Sequence, residues 1–213
     1  GPKIDYNIKD CLGRDWQFAT IQVDMSMPEK FDLTYIDSDN KPHRPVMVHR
    51  ALLGSTERFI SILIEHFGGA FPLWLAPEQV RVMPISSDKH LDYAKEVCQK
   101  LLNAGIRATV TSRAESLNYE IREAELQKIP YMLVLGNREQ ENQAVSVRSY
   151  KLGDLKSMSL EKFIDSITNE IKERAIESCF KELAETLKVE KTNKPQKNEQ
   201  PKKEKKEKKK KDE

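Results

Sequence analysis

The sequence lacks paired cysteines and long apolar runs. Its three cysteines, Cys11, Cys98 and Cys179, are odd in number, far apart and never in a CxxC spacing, so neither a disulfide framework nor a self-contained zinc knuckle is supported. No apolar run approaches the roughly 18 residues of a membrane span. Residues 1–5 also lack the layout of a signal peptide. We therefore expect three reduced thiols, with Cys98 in a helix core, no membrane partner and a cytoplasmic protein.

Charge is distributed unevenly along the chain. The 213 residues carry a net charge of +2, and 38% of them are hydrophobic, enough for one or two domains with real cores. Residues 191–213 hold 11 Lys against 5 Asp or Glu, which leaves −4 for the rest. This tail has almost no apolar residue to bury, so we expect it to be disordered. It is either a solvated charge run or a lysine-rich segment that attracts nucleic acid through phosphate contacts.

The first part of the chain reads as short strands followed by a helix. Residues 6–8, 16–24, 31–36 and 44–49 alternate or run apolar with short connections, which predicts an antiparallel meander. Ser55 can cap a helix over residues 56–67, and two glycines from Gly68 stop it. In that helix, Ile60, Leu63, Ile64 and Phe67 fall at helical spacing.

After a linker at residues 69–77, strands alternate with helices. We expect strands at residues 79–85, 106–111, 131–135 and 144–149. We expect one helix capped by Asp88 and ending near residue 104, one opened by Ser116 and running through residue 127, and a long last helix over residues 160–186. In the first of these, Leu91, Ala94, Val97, Leu101 and Leu102 should face inward. This alternation predicts an α/β domain with a mostly parallel or mixed sheet.

Residues 45–59, PVMVHRALLGSTERF, join a strand to a helix start and place Arg58 in the first helical turn. That arrangement is a phosphate-binding geometry, because the helix N-terminus offers backbone donors and the guanidinium is permanently charged. The pattern is similar to motif 3 of the class II aminoacyl-tRNA synthetases. With His49 just upstream it resembles the threonyl-tRNA synthetase family, and the resemblance extends from residue 1 to about residue 178.

The resemblance implies a particular fold. Residues 1–76 would be the end of the antiparallel-sheet catalytic core of a class II synthetase. Residues 77–178 would be its α/β anticodon-binding domain, and residues 179–213 a helix end followed by the Lys/Glu-rich tail. The core would be incomplete, since motifs 1 and 2 would lie upstream, and no editing domain is visible.

ATP and threonine contacts are implied for two groups of residues. The family assigns the arginine at Arg58 to the ATP phosphates and the small residues at Gly54 and Ser55 to close approach of the ligands. Read from the sequence alone, Arg58 is an ordinary surface residue. On the preceding strand, polar side chains at Gln17, Thr20 and Gln22 are costly unless paired, which suggests a ligand; the alternative is an edge strand with polar residues.

Gln17 and Gln22 are five residues apart and would point to opposite faces of a regular strand. Two explanations stay open for such a pair. Either a bulge intervenes, or only one glutamine faces the ligand, in which case we favour Gln22. The resemblance implies that the two glutamines reach ATP and threonine.

His49 matches the last of the three zinc ligands of the family, one Cys and two His, of which the other two would lie upstream. Taken alone, a histidine at a strand end is more often structural. The implied cofactors are this shared Zn²⁺, which separates threonine from valine, and Mg²⁺ bound with ATP. His43, His66 and His90 have no such match and are expected on the surface or in helices.

Recognition of tRNA is expected in the second domain. The family reads bases with an acidic and a basic residue that match Glu139 and Arg148. Further candidates surround the strand ends and the intervening helix: Arg113, Asn118, Arg122 and Lys128. Ala114 departs from the usual asparagine. Each charge taken alone is also consistent with solvated surface.

The sequence as a whole therefore predicts the C-terminal portion of a threonine-tRNA ligase. The complete enzyme would use ATP and L-threonine to charge tRNA(Thr) and would be a homodimer. This chain alone would be inactive. The competing hypothesis is a non-catalytic RNA-binding module.

Overall fold

The structure, a computed structural model, describes residues 1–111 and 115–192, the last three without their side chains. Arg113 and Ala114 lie outside the described residues, as does the tail beyond residue 192. Across the described part of the chain, no helix combines the length and the apolar character needed to cross a membrane. All three cysteines are free thiols, and Cys98 is buried in a helix, as predicted.

The N-terminal unit consists of a three-stranded antiparallel sheet, a two-stranded hairpin and two helices. Its elements are β1 (Lys3–Lys9), β2 (Asp15–Asp24), α1 (Ser26–Lys30), β3 (Tyr35–Ile36), β4 (Pro42–His43), β5 (Met47–Ala51) and α2 (Thr56–Phe67). The strand order is β1-β2-β5, and β3 pairs only with β4. The predicted meander is therefore wrong in its third strand, because residues 31–36 belong to a separate small hairpin that leaves the main sheet.

Helix α2 has the termini that the sequence predicts. Ser55 Oγ accepts a hydrogen bond from Arg58 N, and Gly68 ends the helix in the left-handed conformation at φ 56°. Both signals act locally, because a hydroxyl satisfies a free amide and glycine adopts positive φ without strain. Ile60 and Ile64 remain 46% and 48% exposed, so α2 buries only part of its apolar surface here.

The second unit is a five-stranded sheet covered by helices. Its elements are β6 (Val80–Pro84), α3 (Ser87–Asn103), β7 (Ala108–Val110), α4 (Leu117–Leu126), β8 (Tyr131–Leu135), α5 (Asn137–Glu141), β9 (Ala144–Ser149), β10 (Gly153–Ser159), α6 (Leu160–Lys172) and α7 (Lys181–Thr192). The strand order is β10-β9-β8-β6-β7. Strand β6 runs parallel to β7 and β8, whereas β9 is antiparallel to β8 and β10. The sheet is mixed, which is one of the two predicted arrangements.

Two details of α3 correct the sequence interpretation. The N-cap position is Ser86, whose side chain makes no capping hydrogen bond, and Asp88 lies in the first turn. Leu102 is 46% exposed, because the inward stripe ends at Leu101. His90, which was expected on the surface or in a helix, is a helical residue but is buried, with Nε2 2.7 Å from Asn137 Oδ1.

The predicted long last helix is wrong: it is two helices, α6 and α7, joined by a turn in which Arg174 has φ 50°. The turn lets Phe180 stack on Phe163, with ring centroids 6.1 Å apart and planes at 5°. It also lets Cys179 N donate to the buried carboxylate of Glu170 at 3.0 Å. Ala184 on α7 joins the same core, so the described residues beyond 178 pack against the second unit.

Two cores support this sheet. The larger lies between the strands and helices α3, α6 and α7, whereas a smaller one of Met83, Ala124, Ile129 and Met132 lies under α4. In the larger core, Tyr131 is 2% exposed, and its hydroxyl donates to Glu170 Oε2 at 3.0 Å and lies 2.6 Å from Ser178 Oγ. This polar group is buried without cost only because it is paired.

The linker, residues 69–77, is hydrogen-bonded to the second unit. Gln79 is fully buried, and its amide donates to Leu73 O and accepts from Arg107 N, both at 2.8 Å. The Arg107 guanidinium donates to Trp74 O and Ala76 O. The Gln79 amide, which both donates and accepts a hydrogen bond, therefore ties the residues before β6 to the second unit.

Replacing Tyr131 with Phe tests the buried network. Because the change leaves Glu170 and Ser178 without their shared partner, we expect the free energy of unfolding to fall by about 1 to 3 kcal/mol. The measurement is urea denaturation followed by far-UV circular dichroism. Tyr150→Phe is the matched control, since that half-buried hydroxyl makes no hydrogen bond among the described residues, and it should change stability by less than about 0.5 kcal/mol. Equal effects of the two changes would contradict the role given to the network.

Candidate functional site

A β-bulge at Phe18 decides which side chains of β2 share a face. Strand β1 pairs Asn7 with Gln17 but Tyr6 with Ala19, so Phe18 is the extra residue. Gln17, Thr20 and Gln22 consequently lie opposite Asn7, Asp5 and Lys3, which are alternate residues of β1. Paired residues point to the same side of a sheet, and a bulge reverses the alternation. All three polar residues therefore lie on one face, which we call the polar face.

His49 belongs to the same face. In the β2–β5 ladder His49 is the partner of Gln22, and Ala51 is the partner of Thr20. The imidazole is 47% exposed, and its Nε2 lies 3.0 Å from Asp24 Oδ2. Backbone hydrogen bonds from Met27 and Ser26, together with the one from His49, lower the pKa of Asp24. A charged carboxylate thus holds one ring nitrogen and leaves the other free.

The polar side chains differ in how far they are already engaged. Gln17 Nε2 donates to Asp5 Oδ1 at 2.7 Å, and Thr20 Oγ1 donates to Ile4 O at 3.3 Å. Gln22 is exposed, and its side chain makes no hydrogen bond within the described residues. Gln22 is therefore the group on this face with the most hydrogen-bonding capacity left for a ligand.

The bulge also joins β2 to the start of α2. Arg58 Nη1 donates to Gln17 O at 3.0 Å, and the Phe18 ring contacts Phe59 with centroids 5.6 Å apart. Gly54 has φ 63°, and a Cβ there would lie 2.9 Å from Phe18 O. Only glycine fits both the backbone angle and this approach. Gly54, Ser55 and Arg58 are thereby brought against the strand that carries Gln17.

Side chains that could bind a metal ion are not clustered in the described part of the chain. Among residues 1–111 and 115–192, no group of three or more His, Cys, Asp or Glu side chains is arranged to hold a metal ion. His49 with its carboxylate partner has the arrangement that metal-binding histidines usually show. His49 is therefore a candidate for a single metal ligand, held in place by Asp24.

Three of the residues predicted to contact RNA form one strip on the second unit. Asn118 and Arg122 are exposed on α4 and are four residues apart, so they lie on the same side of the helix. Glu125 continues that side and accepts from Arg148 of β9, with Nε to Oε1 at 3.2 Å. Asn118, Arg122 and Arg148 are thus contiguous through Glu125; we call this set the α4 strip.

Glu139 and Lys128 lie elsewhere. Glu139 Oε2 accepts from Gly136 N at 3.1 Å and so closes the first turn of α5, beyond the carboxyl end of β8. Arg148 pairs with Met132, near the other end of β8. Lys128 donates from Nζ to Gly68 O, at the C-terminus of α2. The structure therefore does not bring Glu139 or Lys128 into contact with the α4 strip.

A polar cavity on the other side of α4 was missed by sequence reasoning. Its volume is about 350 Å³, and its lining includes Arg81, Thr109, Thr111 and the buried Glu120. Arg81 bridges Glu78 and Gln127, whereas Thr111 Oγ1 donates to Glu120 Oε2 at 3.1 Å. The sequence signal for this cavity was weak: Thr109, a polar residue, alternates with the apolar residues Ala108 and Val110 on the edge strand β7.

Comparison with known proteins agrees with this architecture. Residues 1–67 match the family model of the tRNA synthetase class II core domain (G, H, P, S and T), and residues 79–170 match that of the anticodon binding domain. In fold, the chain is similar to prolyl-tRNA synthetase from Giardia lamblia, with a TM-score of 0.63 at 18% identity, over 88% of this chain and 40% of that one. The two family models place the chain in the class II aminoacyl-tRNA synthetases, and the superposition shows that it shares their fold.

Relatives with higher identity narrow the class. The chain is 55% identical to the threonine–tRNA ligase of Clostridium tetani over 84% of its own length, and 57% identical to that of Syntrophomonas wolfei over 83%. The RNA binding domain of threonyl-tRNA synthetase from Cryptosporidium parvum superposes with a TM-score of 0.70 at 37% identity, over 79% of this chain and 42% of that one. The chain belongs to the threonyl-tRNA synthetase family. It spans 28% of the length of the two curated relatives.

Gly54→Ala tests the contact between the bulge and the start of α2. We expect this change to cost more than the about 1 to 2 kcal/mol of a left-handed alanine, because the new Cβ must also displace Phe18 O. Gly13→Ala is the matched control: it has φ 77° but nothing within 4 Å of its Cβ, so it carries the backbone cost alone. Denaturation monitored by Trp16 fluorescence in a Trp74→Phe background measures both. Equal losses would show that the close approach does not matter.

Proposed function

We propose that this chain is the C-terminal portion of a threonine-tRNA ligase, which activates threonine with ATP and transfers it to tRNA(Thr). One observation carries the proposal: the bulge at Phe18 gathers Gln17, Thr20 and Gln22 on the face of His49, beside the start of α2. That juxtaposition is what a site for two ligands in contact requires, because reacting groups must be held close together and oriented.

Arg58, Ser55 and Gly54 would form the ATP side of the site. The guanidinium supplies a permanent positive charge at the N-terminus of a twelve-residue helix, where the helix dipole adds to it. Gly54 lets the backbone approach β2 closely, and the Ser55 hydroxyl keeps the first turn closed. Triphosphate oxygens, arriving with Mg²⁺, would be met by fixed donors and would need little reorganisation of the protein.

Gln22, Thr20 and His49 would form the threonine side, with Gln17 between the two. His49 would be one zinc ligand, oriented by Asp24, and the other ligands would come from outside this chain. Zinc chemistry at this position would favour threonine, which carries both an amino group and a hydroxyl, over valine, which lacks the hydroxyl. The amides of Gln22 and Gln17 would position the substrate by hydrogen bonds.

The second unit would read the anticodon. Support comes from the α4 strip, where exposed Asn118 and Arg122 adjoin Arg148 on a rigid helix and strand. Guanidinium and amide groups hydrogen-bond base edges and stack on unpaired bases. Glu139 and Lys128 would contact the RNA away from this strip, and Arg113, which lies outside the described residues, would be a further contact. The complete enzyme would be a cytoplasmic homodimer, a setting with which three free thiols agree.

A second function, a non-catalytic RNA-binding module, is favoured by one observation. The second unit has two well-buried cores, whereas Pro28 is the only buried residue from 1 to 67. The second unit could therefore act without a working catalytic site.

Assaying threonine activation by the isolated chain tests whether this chain is only one part of the catalytic site. We expect threonine-dependent ATP–pyrophosphate exchange at background, because the motif 2 arginine and two zinc ligands implied by the family are not supplied. The full-length enzyme is the positive control. Clear exchange by the 213-residue chain would contradict the proposal that it is one part of a larger site.

Replacement of Arg148 by Ala tests anticodon reading. We expect the loss of a base contact to cost about 1 to 3 kcal/mol in binding of tRNA(Thr) and to erase the preference over a non-cognate tRNA. Titrations against both tRNAs at two salt concentrations measure this. Lys100→Ala is the matched control, since Lys100 is an exposed helical cation paired with Glu96, remote from the α4 strip.

Deletion of residues 191–213 should affect tRNA binding differently from Arg148→Ala. Lysine contacts to phosphate release counterions, so removal of the tail should lower affinity for every tRNA and flatten the salt dependence, and should leave the cognate preference intact. The assignment of the anticodon site fails if tail deletion, and not Arg148→Ala, removes the discrimination.

A further inference from the structure

An indole lies directly beside the arginine proposed to bind ATP. Arg58 Cζ is 5.5 Å from the ring centroid of Trp16, and the same guanidinium donates to the carbonyl of Gln17, the next residue. From this geometry we infer that Trp16, held by Asp10, is the positioning residue for Arg58 in ATP binding. The inference deepens the proposed function and rests on it.

Asp10 fixes the indole. Its side chain is 2% exposed, although the surrounding turn is at the surface. Oδ2 accepts from Trp16 Nε1 at 3.0 Å and from Arg14 Nε at 2.6 Å, whereas Oδ1 accepts from the backbone amides of Leu12 and Arg14, both at 2.9 Å. These donors, with that of Trp16 foremost, hold the pKa of Asp10 well below its usual range. The carboxylate is thus a charged centre that fixes both the turn and the ring.

The Trp16 ring gives the Arg58 guanidinium a second contact, in addition to its hydrogen bond to Gln17 O. Trp16 pairs with Ile8 across β1, so it lies on the face opposite Gln17. Arg58 therefore meets the Trp16 ring and the Gln17 carbonyl at the edge of the strand, one contact through the ring face and one through a hydrogen bond. A planar cation with both contacts has few orientations left, and indole is the best aromatic partner for such a cation.

Without the ring, Arg58 has competing partners. A cavity of about 440 Å³ beside Trp16 and Arg58 is also lined by Glu57 and Glu65. A long, flexible guanidinium facing two carboxylates would pair with them in the absence of a stronger local constraint. The contact with the indole and the hydrogen bond to Gln17 O together hold the guanidinium against β2. Trp16 therefore acts through Arg58 and need not touch ATP itself.

The test uses the full-length enzyme and separates the KM for ATP from the KM for threonine in pyrophosphate exchange. We expect Trp16→Leu to raise the KM for ATP about tenfold while the KM for threonine stays within about twofold. Trp16→Phe keeps an aromatic face and should recover most of the loss, to within about threefold of the wild type. Asp10→Asn, which keeps the ring but weakens its anchor, should change the KM for ATP in the same direction, and it serves if Trp16→Leu does not fold.

Trp74→Leu is the matched control. Trp74 also lies near a guanidinium, with Arg174 Cζ 5.9 Å from its centroid, but it belongs to the linker, and its loss should leave both KM values unchanged. Arg58→Ala supplies the reference. If Arg58→Ala leaves the KM for ATP unchanged, the proposed role of Arg58 is itself wrong. The positioning role of Trp16 is overturned if Arg58→Ala raises the KM for ATP but Trp16→Leu does not. It is also overturned if Trp16→Phe recovers no more than Trp16→Leu, or if Trp16→Leu raises the KM for ATP and the KM for threonine together.

Discussion

The arrangement of the N-terminal unit depends on one extra residue in a strand. Phe18 interrupts the β1–β2 ladder, and both carbonyls at the interruption are used: Gln17 O accepts from Arg58, and Phe18 O lies against Gly54. A regular strand would send Gln17 and Gln22 to opposite sides of the sheet. The bulge instead places both on the side of His49 and docks the start of α2 at the same point. The side chains proposed to face the ligands and the helix terminus proposed to bind phosphate are thereby positioned by a single irregularity in β2.

The second unit is a rigid support for a different surface. Its mixed sheet has a core on each face, and the buried Tyr131–Glu170–Ser178 network connects β8 to the turn between α6 and α7. A fully buried glutamine, Gln79, holds the linker to the first strand of the sheet. Lys128 joins the end of α2 to the loop before β8. The α4 strip is therefore presented on elements whose positions are fixed by packing and paired polar groups.

Features fixed by local interactions, such as helix ends, could be predicted from the sequence. Features fixed by contacts between distant residues could not. Ser55 and Gly68 mark the ends of α2 because a cap and a left-handed glycine act within one turn. The bulge was one of two explanations left open for Gln17 and Gln22; nothing local distinguishes an inserted residue from a change of face. The break after α6 was missed because apolar spacing continues through it, and the gain that decides it, Phe180 against Phe163, comes from the other helix. Strand β10 was missed because its sequence is largely polar, with only Leu155 fully buried.

The same reasoning explains what the sequence could say of the site. Gly54, Ser55 and Arg58 lie within five consecutive residues and form a recognisable motif, so their convergence followed from the sequence. Asp24 beside His49, and Asp10 beside Trp16, depend on strand register and turn geometry and were not foreseen. On the second unit, Asn118, Arg122 and Arg148 converge, whereas Glu139 closes α5 and Lys128 lies at the end of α2.

A crystal structure of the full-length enzyme with a non-hydrolysable threonyl-adenylate analogue tests the central claim, that the bulge at Phe18 creates the ligand-facing side of β2. The account predicts the analogue on the polar face, with Gln22 at about 3 Å from its amino-acid portion and Arg58 at similar distance from its phosphate region. An analogue bound against the opposite face, beside Ile21 and Val23, would contradict it.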